Sequence, residues 1–352
     1  MKAAAFYRPE LDVVRCCAFL AVFAHHTLPR DGVHGAALIT FANSMGFGLC
    51  LFFVLSAYLI TLLLLREQAV TGTVHLLAFY KRRTLRIWPL YLLGLSIGVL
   101  RAFNHGVLQE QSTWFVAALL LCGNLVYPGT ILMSHLWSIS LEEQFYLFFP
   151  STCKSFGRRG VLSFAALLIV LANASLVHFA HIHAKLDSDV WFSTFVQGEM
   201  FAAGMLLALA EERLPRWNKA GSGVAALSAL SLWMVAAGVW HLKTASAVAS
   251  SALGVCFAYG LVAIGCCLLI VALYGLPSPR ALVYSGRISY GLYVFHLPVI
   301  ALLTGHFIAN YTAGVLISLA VTYALAMVSY HYYEVPFLQI KRRYQLIPTR
   351  VG

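Results

Sequence analysis

Charge is what this chain of 352 residues most conspicuously lacks: 11% of it is Asp, Glu, Lys or Arg, against 61% hydrophobic residues. Soluble domains carry about 25% charged and about 45–50% apolar residues, and a soluble core stops growing beyond ~250–300 residues. The imbalance therefore excludes a soluble enzyme and equally a disordered chain. Acidic residues are scarcest, 13 Asp and Glu against 24 Lys and Arg, which leaves a formal net charge of +11. The basic residues sit in short clusters between apolar runs and form no stripe on a polar domain, so nucleic acid is not an expected partner. Topogenic charge beside a lipid bilayer accounts for them. Cysteine spacing of the metal or disulfide kind is also missing. The eight cysteines include the adjacent pairs Cys16–Cys17 and Cys266–Cys267 inside apolar runs, and no CxxC occurs. Histidines in the connecting segments show no regular ligand spacing, so no metal is expected. No polar domain, internal repeat or low-complexity tract is visible.

What the chain has instead is a series of apolar runs, and a crossing takes ~20 such residues. Spans are expected at 11–28, 36–65, 86–103, 113–132, 161–182, 190–210, 221–241, 249–274, 281–304 and 310–333. Asp12, Arg15, His25 and His26 interrupt the first, and no small-residue cleavage pattern follows it. It is expected to be a retained helix, not a signal peptide. Segment 134–150 carries Glu142 and Glu143. A carboxylate facing lipid costs about 2.5–3.5 kcal/mol at mid-bilayer, so this segment is expected to be a buried or re-entrant helix. With the N-terminus cytoplasmic and segment 134–150 not crossing, 18 basic residues fall inside and only Arg30, Arg101, Lys185 and Lys243 outside, with Arg15 and Arg287 near or within spans; a crossing at 134–150 would move Lys154, Arg158 and Arg159 outside. The expected fold class is all-α, a polytopic membrane bundle of about ten transmembrane helices with both termini cytoplasmic. Residues 1–340 form its membrane domain and 341–352 a short basic tail. The expected location is the cytoplasmic (inner) membrane, where any chemistry takes place in or beside the bilayer.

Ionisable residues inside spans are costly and point to function. On a helix of 100° per residue, Arg15 and His26 lie about 20° apart on one face and roughly 16 Å apart along the axis. Asp12 and Arg15 have i,i+3 spacing for an ion pair. His26 is the candidate for proton chemistry and His25, about 80° off that face, for a structural hydrogen bond. In segment 134–150, Ser138, Glu142 and Tyr146 share one helical face, and Glu143 lies about 100° round from Glu142. A buried carboxylate there could act as a general acid or base, or could form a structural ion pair. Arg82, Arg83 and Arg86 cluster at the start of the 86–103 span. Guanidinium forks suit the phosphates of a nucleotide head, and equally suit anionic lipid.

Together these segments resemble the membrane acyltransferase-3 family. YRPELDVVRCCAFLAVFAHH, residues 7–26, is similar to its first helix, with Arg15, ten residues, then His26. GFGLCLFFVLSAYLI (46–60) is similar to its second-helix signature and contains Ser56. FYKRRTLRIWP carries an Arg-x-x-Arg element at Arg83 and Arg86, and HLWSISLEEQFYLFFP a Trp-Ser-x-x-x-Glu element through Trp137, Ser138 and Glu142. ISYGLYVFHLPVI (288–300) and YYEVPF (332–337) resemble its closing elements. The stretch 155–280 is similar only in hydropathy. Cys50 stands where a polar residue is common, and Ala57 where glycine is usual, which would limit close helix approach.

The resemblance implies transfer of an acyl group, most often acetyl, from cytosolic acyl-CoA to a hydroxyl of an extracytoplasmic or lipid-linked carbohydrate. No cofactor is bound; acetyl-CoA or another acyl-CoA is the donor substrate. In that scheme Arg82, Arg83 and Arg86 hold CoA, with Trp137, Ser138 and Tyr146 along the thioester channel. The nucleotide stays inside while the thioester threads into a central pore. His26 is the base or briefly carries the acyl group, Asp12 and Arg15 tune it, and Glu142 assists proton transfer. Ser56, His296 and Glu334 are secondary candidates, with Arg287 and Glu199 weaker still. Some relatives carry an appended extracytoplasmic hydrolase-like domain; none is expected here, and a soluble second-stage transfer partner would then be another protein. The competing classes are a proton-coupled transporter and a non-catalytic polysaccharide-export protein. Intramembrane charge suits the first, but no inverted repeat supports it.

Overall fold

A computed structural model describes residues 7–29, 35–126, 131–244, 247–306 and 310–347. Arg30 and the end of the basic tail lie outside these residues. The helices in chain order are α1 (Pro9–Thr27), α2 (Ala36–Ser44), α3 (Gly48–Thr71), α4 (Leu76–Asn104), α5 (Leu108–Leu119), α6 (Trp137–His181), α7 (Thr194–Leu209), α8 (Lys219–Val239), α9 (Ala252–Leu273), α10 (Arg280–Arg287), α11 (Ser289–His306), α12 (Tyr311–Val328) and α13 (Val335–Arg342). Among the described residues there is no β-strand beyond one antiparallel bridge pair, Lys185 with Val248.

Six helical runs among the described residues are long and apolar enough to cross a membrane: Ala36–Thr71, Leu76–Asn104, Ser134–His181, Lys219–Val239, Ala252–Leu273 and Tyr311–Arg342. Arg280–Arg287 and Ser289–Leu303, bent by 71°, make a seventh if taken as one span. The protein is a multi-pass, all-helical membrane protein.

Two segments differ from expectation. Among the described residues no helix runs through the span expected at 113–132, part of which lies outside them: α5 stops after 12 residues, about 18 Å of helix. Its end is a left-handed stop: Leu121 takes φ 60, Cys122 N–H donates to Ala117 O at 2.7 Å and Leu121 N–H to Ala118 O at 2.9 Å. These two bonds satisfy the last carbonyls as a Schellman cap does. The hydroxyl of Tyr91 donates to Ala118 O at 2.6 Å and the Trp114 indole to Gly123 O at 3.0 Å, which fixes the turn.

Segment 134–150, expected as a short buried or re-entrant helix, is instead the first limb of a helical hairpin. The helical run of α6 breaks at Gly157, with φ 54 and ψ −136, a conformation that glycine adopts without penalty. Phe149 and Phe164 stack at 5.9 Å, whereas 15 residues of straight helix would part them by about 22 Å. The limb from Trp137 to Phe156 is therefore long enough to cross, and it exposes Leu147 and Phe148 on one face.

The chain divides into two units, each discontinuous in sequence: Met1–Tyr7, Val70–Gln144 and Arg287–Gly352 in one, Arg8–Ala69 and Phe145–Gly286 in the other. In the second, α9 packs against α1, α7 and α8. A Cβ on Gly204 of α7 would lie 2.1 Å from Val54 O and 2.9 Å from the Ala57 methyl of α3. Ala57 thus does not prevent a close crossing, because the glycine is on the opposite helix; small residues let membrane helices approach in this way. The Phe145 and Phe201 rings stack at 4.5 Å in the same unit. In the other unit α4 packs against α5, α11 and α13, and α11 against α12.

Gly204→Val is expected to cost about 1–3 kcal/mol or more through overpacking and to lower the thermal midpoint of the detergent-solubilised protein. An unchanged midpoint would contradict the α3–α7 crossing.

Candidate active site

The first helix supplies one group of candidate residues. Pro9 at its start has no N–H to leave unsatisfied, and Glu10 and Asp12 complement the positive end of the helix dipole. Arg8, just before the helix, forms an ion pair with Glu211, donates to the hydroxyl of Tyr274 at 3.0 Å and lies 4.5 Å from that ring's centre. Burial works against the charge of Arg8, but Tyr58, Glu211 and Tyr274 outweigh it and hold its pKa above the ordinary arginine value. The expected pair forms one turn further on: Arg15 Nη1 donates to Asp12 Oδ1 at 2.6 Å, with the carboxylate side chain 2% exposed and the arginine 21%. The backbone at Asp12 touches α10, since a Cβ on Gly286 would lie 1.8 Å from Asp12 O.

At the other end of α1 the two histidines separate. His25 is buried and its Nδ1 lies 2.9 Å from Ala42 O; a carbonyl only accepts, so this nitrogen carries a proton. The ring also fills the space beside Gly46, at 3.0 Å from where its Cβ would be. His26 is exposed, with its ring 5.0 Å from that of His25. His25 is thus committed to structure, and His26 presents an imidazole to its surroundings. Arg15 and His26 lie on one unbroken helix, separated by roughly 16 Å along it, so they do not meet directly. Ser56 is half-buried on α3. The buried thiol of Cys50 lies 3.8 Å from Gln197 Oε1, and Gln197 in turn donates to Trp191 O at 2.8 Å. Tyr146 is buried. Glu199 of α7 has Oε2 buried without a hydrogen bond.

The other unit carries the basic turn of α4. Arg82 donates to Tyr344 O at 2.9 Å and so ties down the C-terminal segment. Arg83 lies 5.7 Å from the Phe79 ring centre, and Arg86 is within electrostatic reach of Glu334. All three arginines are half-buried. Beside Pro89, Tyr290 donates to Ile87 O at 2.7 Å and Tyr333 to Pro89 O at 3.1 Å. Glu334, in a π-helical turn, accepts from Ser329 at 3.3 Å. Arg287 donates to the Tyr7 hydroxyl at 3.0 Å.

At the start of α6, Trp137 and Ser138 are buried and Glu142 is half-buried. Ser138 Oγ lies 2.7 Å from the Tyr293 hydroxyl. Of the two glutamates, Glu143 accepts from the Trp88 indole at 3.1 Å, a partner that periodicity on α6 alone does not reveal. His296 is fully buried with Nδ1 2.6 Å from Tyr293 O. His135 and Tyr293 were not singled out from the sequence. His135 is buried, its ring 5.1 Å from that of His296 and its Nε2 3.1 Å from Val294 O.

The two histidines of α1 give a direct test. His25→Ala is expected to lower the thermal midpoint, at a cost of about 1–3 kcal/mol for the unpaired buried carbonyl, while His26→Ala leaves the midpoint within error. Equal destabilisation by both would contradict the assignment.

Comparison with known proteins places these residues in context. Residues 8–331 match the family described as "Acyltransferase domain". The "O-acetyltransferase OatA" of Staphylococcus aureus (strain NCTC 8325 / PS 47) is 25% identical over 368 aligned residues, covering 94% of this chain and 57% of the relative. The chain thus spans little more than half the length of that relative. The "Putative O-acetyltransferase SAR0937" of S. aureus (strain MRSA252) is 28% identical over 221 residues, covering 57% of this chain and 34% of the relative. No solved structure matches. With a match that runs from Arg8, ahead of the Asp12–Arg15 pair, through His296 to the last membrane helix, the chain belongs to the acyltransferase domain family.

Proposed function

We propose that this protein is an integral-membrane O-acyltransferase that moves an acyl group, most often acetyl, from cytosolic acyl-CoA to a hydroxyl of an extracytoplasmic or lipid-linked carbohydrate. The carrying observation is the first helix: an ion pair of the buried Asp12 carboxylate with Arg15, on the same unbroken helix as an exposed imidazole, His26. The family match and the names of the Staphylococcus aureus relatives support the reaction class.

In this scheme His26 takes the proton of the acceptor hydroxyl as its oxygen attacks the thioester carbonyl. The C–O bond forms, the C–S bond breaks, and CoA leaves as a thiolate that is then protonated. An acyl-histidine intermediate is the variant in which His26 attacks first. Arg83 and Arg86 bind CoA phosphates through paired N–H donors, with Arg82 also anchoring the tail. Trp137, Ser138 and Tyr146 contact the thioester arm, Glu142 relays protons, and Ser56, His296 and Glu334 support these groups.

The topology that goes with this function has both termini cytoplasmic in the inner membrane. Ten crossings follow if α1, the α2–α3 run, α4, both limbs of α6, α7, α8, α9, the α10–α11 pair and α12 each traverse. The first limb of α6 then takes the crossing that had been expected at 113–132, and α5 enters without traversing.

The test is release of CoA thiol from acetyl-CoA by membranes that contain the native acceptor pool. His26→Ala is expected to lower kcat by on the order of 10²–10⁴ at unchanged donor KM. Arg83→Gln or Arg86→Gln is expected to raise donor KM by on the order of tenfold with a smaller change in kcat. Carbohydrate movement without thioester consumption, with several acyl-CoAs tried, would overturn the proposal in favour of transport.

A further inference from the structure

Pro298 lies inside α11. In an α-helix the N–H of residue i donates to the carbonyl of i−4, so a proline at 298 deprives Val294 O of its helical partner. Val294 is fully buried, and an unsatisfied carbonyl in such a place is costly, most of all in a membrane where water cannot repair it. The carbonyl is nevertheless paired. His135, 159 residues away in sequence, brings its Nε2 to 3.1 Å from Val294 O. Because a carbonyl only accepts, His135 Nε2 carries the proton, and in the neutral ring Nδ1 holds the lone pair.

The attachment has a second point. The Tyr293 hydroxyl donates to His135 O at 2.8 Å, while Ser138 Oγ lies 2.7 Å from that hydroxyl and donates to His135 O at 3.1 Å. His135 thus engages α11 through its ring and its backbone together. It sits in the 3₁₀ turn Ser134–Leu136 that leads directly into α6, with Met133 behind it packed against Gly94 and Gly98 of α4. The ring of His296 completes the enclosure at 5.1 Å.

We propose that His135 is a positioning residue: its imidazole N–H replaces the hydrogen bond that Pro298 removes from α11, and this latch fixes the first turn of α6, which carries Trp137 and Ser138. The hydrogen bond missing from α11 and the start of α6 are then one structural device, and the role required of residue 135 is a donor of the right length. The link to catalysis rests on the acyltransferase function proposed above; the latch itself does not.

Two measurements on the full-length protein in detergent test it. In a double-mutant cycle, His135→Leu is expected to lower the thermal midpoint by on the order of 5 °C in the wild-type background. Pro298→Ala restores an N–H at 298 that can satisfy Val294 O, so the same His135→Leu change is expected to shift the midpoint far less there. Equal losses in the two backgrounds would overturn the latch. The second measurement is rescue. His135→Gln keeps an N–H donor but no imidazole base, and is expected to retain most CoA release where His135→Leu loses about tenfold or more. Loss as severe in Gln as in Leu would overturn a positioning role in favour of chemistry at the ring. If wild type releases no CoA, the acyltransferase proposal fails, and the double-mutant cycle alone still decides the latch.

Discussion

Inside hydrocarbon no water can complete a hydrogen bond, so every carbonyl, N–H and charge must find its partner within the chain. Several local features of this structure answer to that constraint. Burial in protein makes the same demand: Asp12, 2% exposed at its side chain, is bonded to Arg15 one turn away. It explains the end of α5, where a left-handed Leu121 turns two N–H groups back onto the last carbonyls. It also explains why an imidazole reaches the carbonyl that Pro298 leaves vacant.

The second constraint is close approach. Burial of apolar surface gives little drive between helices when lipid is as apolar as leucine, and contact depends on small residues. Gly204 against Val54 and Ala57 in α3 and Gly286 against Asp12 in α1 bring backbones within the reach of a single Cβ. The second of these fixes the backbone of a proposed site residue. Helix packing and site geometry therefore share the same positions, and substitutions there are expected to affect both.

That this is an all-helical membrane protein was legible in its 61% hydrophobic residues and long apolar runs, whereas the number of crossings was not. The Asp12–Arg15 pair was legible because i,i+3 spacing within one helix needs no tertiary knowledge. The different fates of His25 and His26 followed from the helical face. The end of α5 was not legible: hydropathy over 113–132 counts apolar residues and is blind to a stop made by backbone hydrogen bonds. The hairpin at Gly157 was not legible: the carboxylates of 134–150 pointed to a buried or re-entrant helix, and a lone glycine does not announce a reversal. Glu143 was passed over in favour of Glu142, because its partner Trp88 lies on α4. His135 was quoted within a motif and not singled out, for its partner carbonyl is 159 residues away.

The most direct measurement uses sealed membrane vesicles of the two orientations, given acetyl-labelled acetyl-CoA on the outer surface only. Inside-out vesicles expose the cytoplasmic face, where Arg83 and Arg86 are proposed to bind the donor. The expected result is label in the carbohydrate or glycolipid fraction with matching CoA release from inside-out vesicles, and neither from right-side-out ones. Equal transfer in both orientations, or carbohydrate movement with the thioester intact, would contradict a transferase that takes its donor from the cytoplasm.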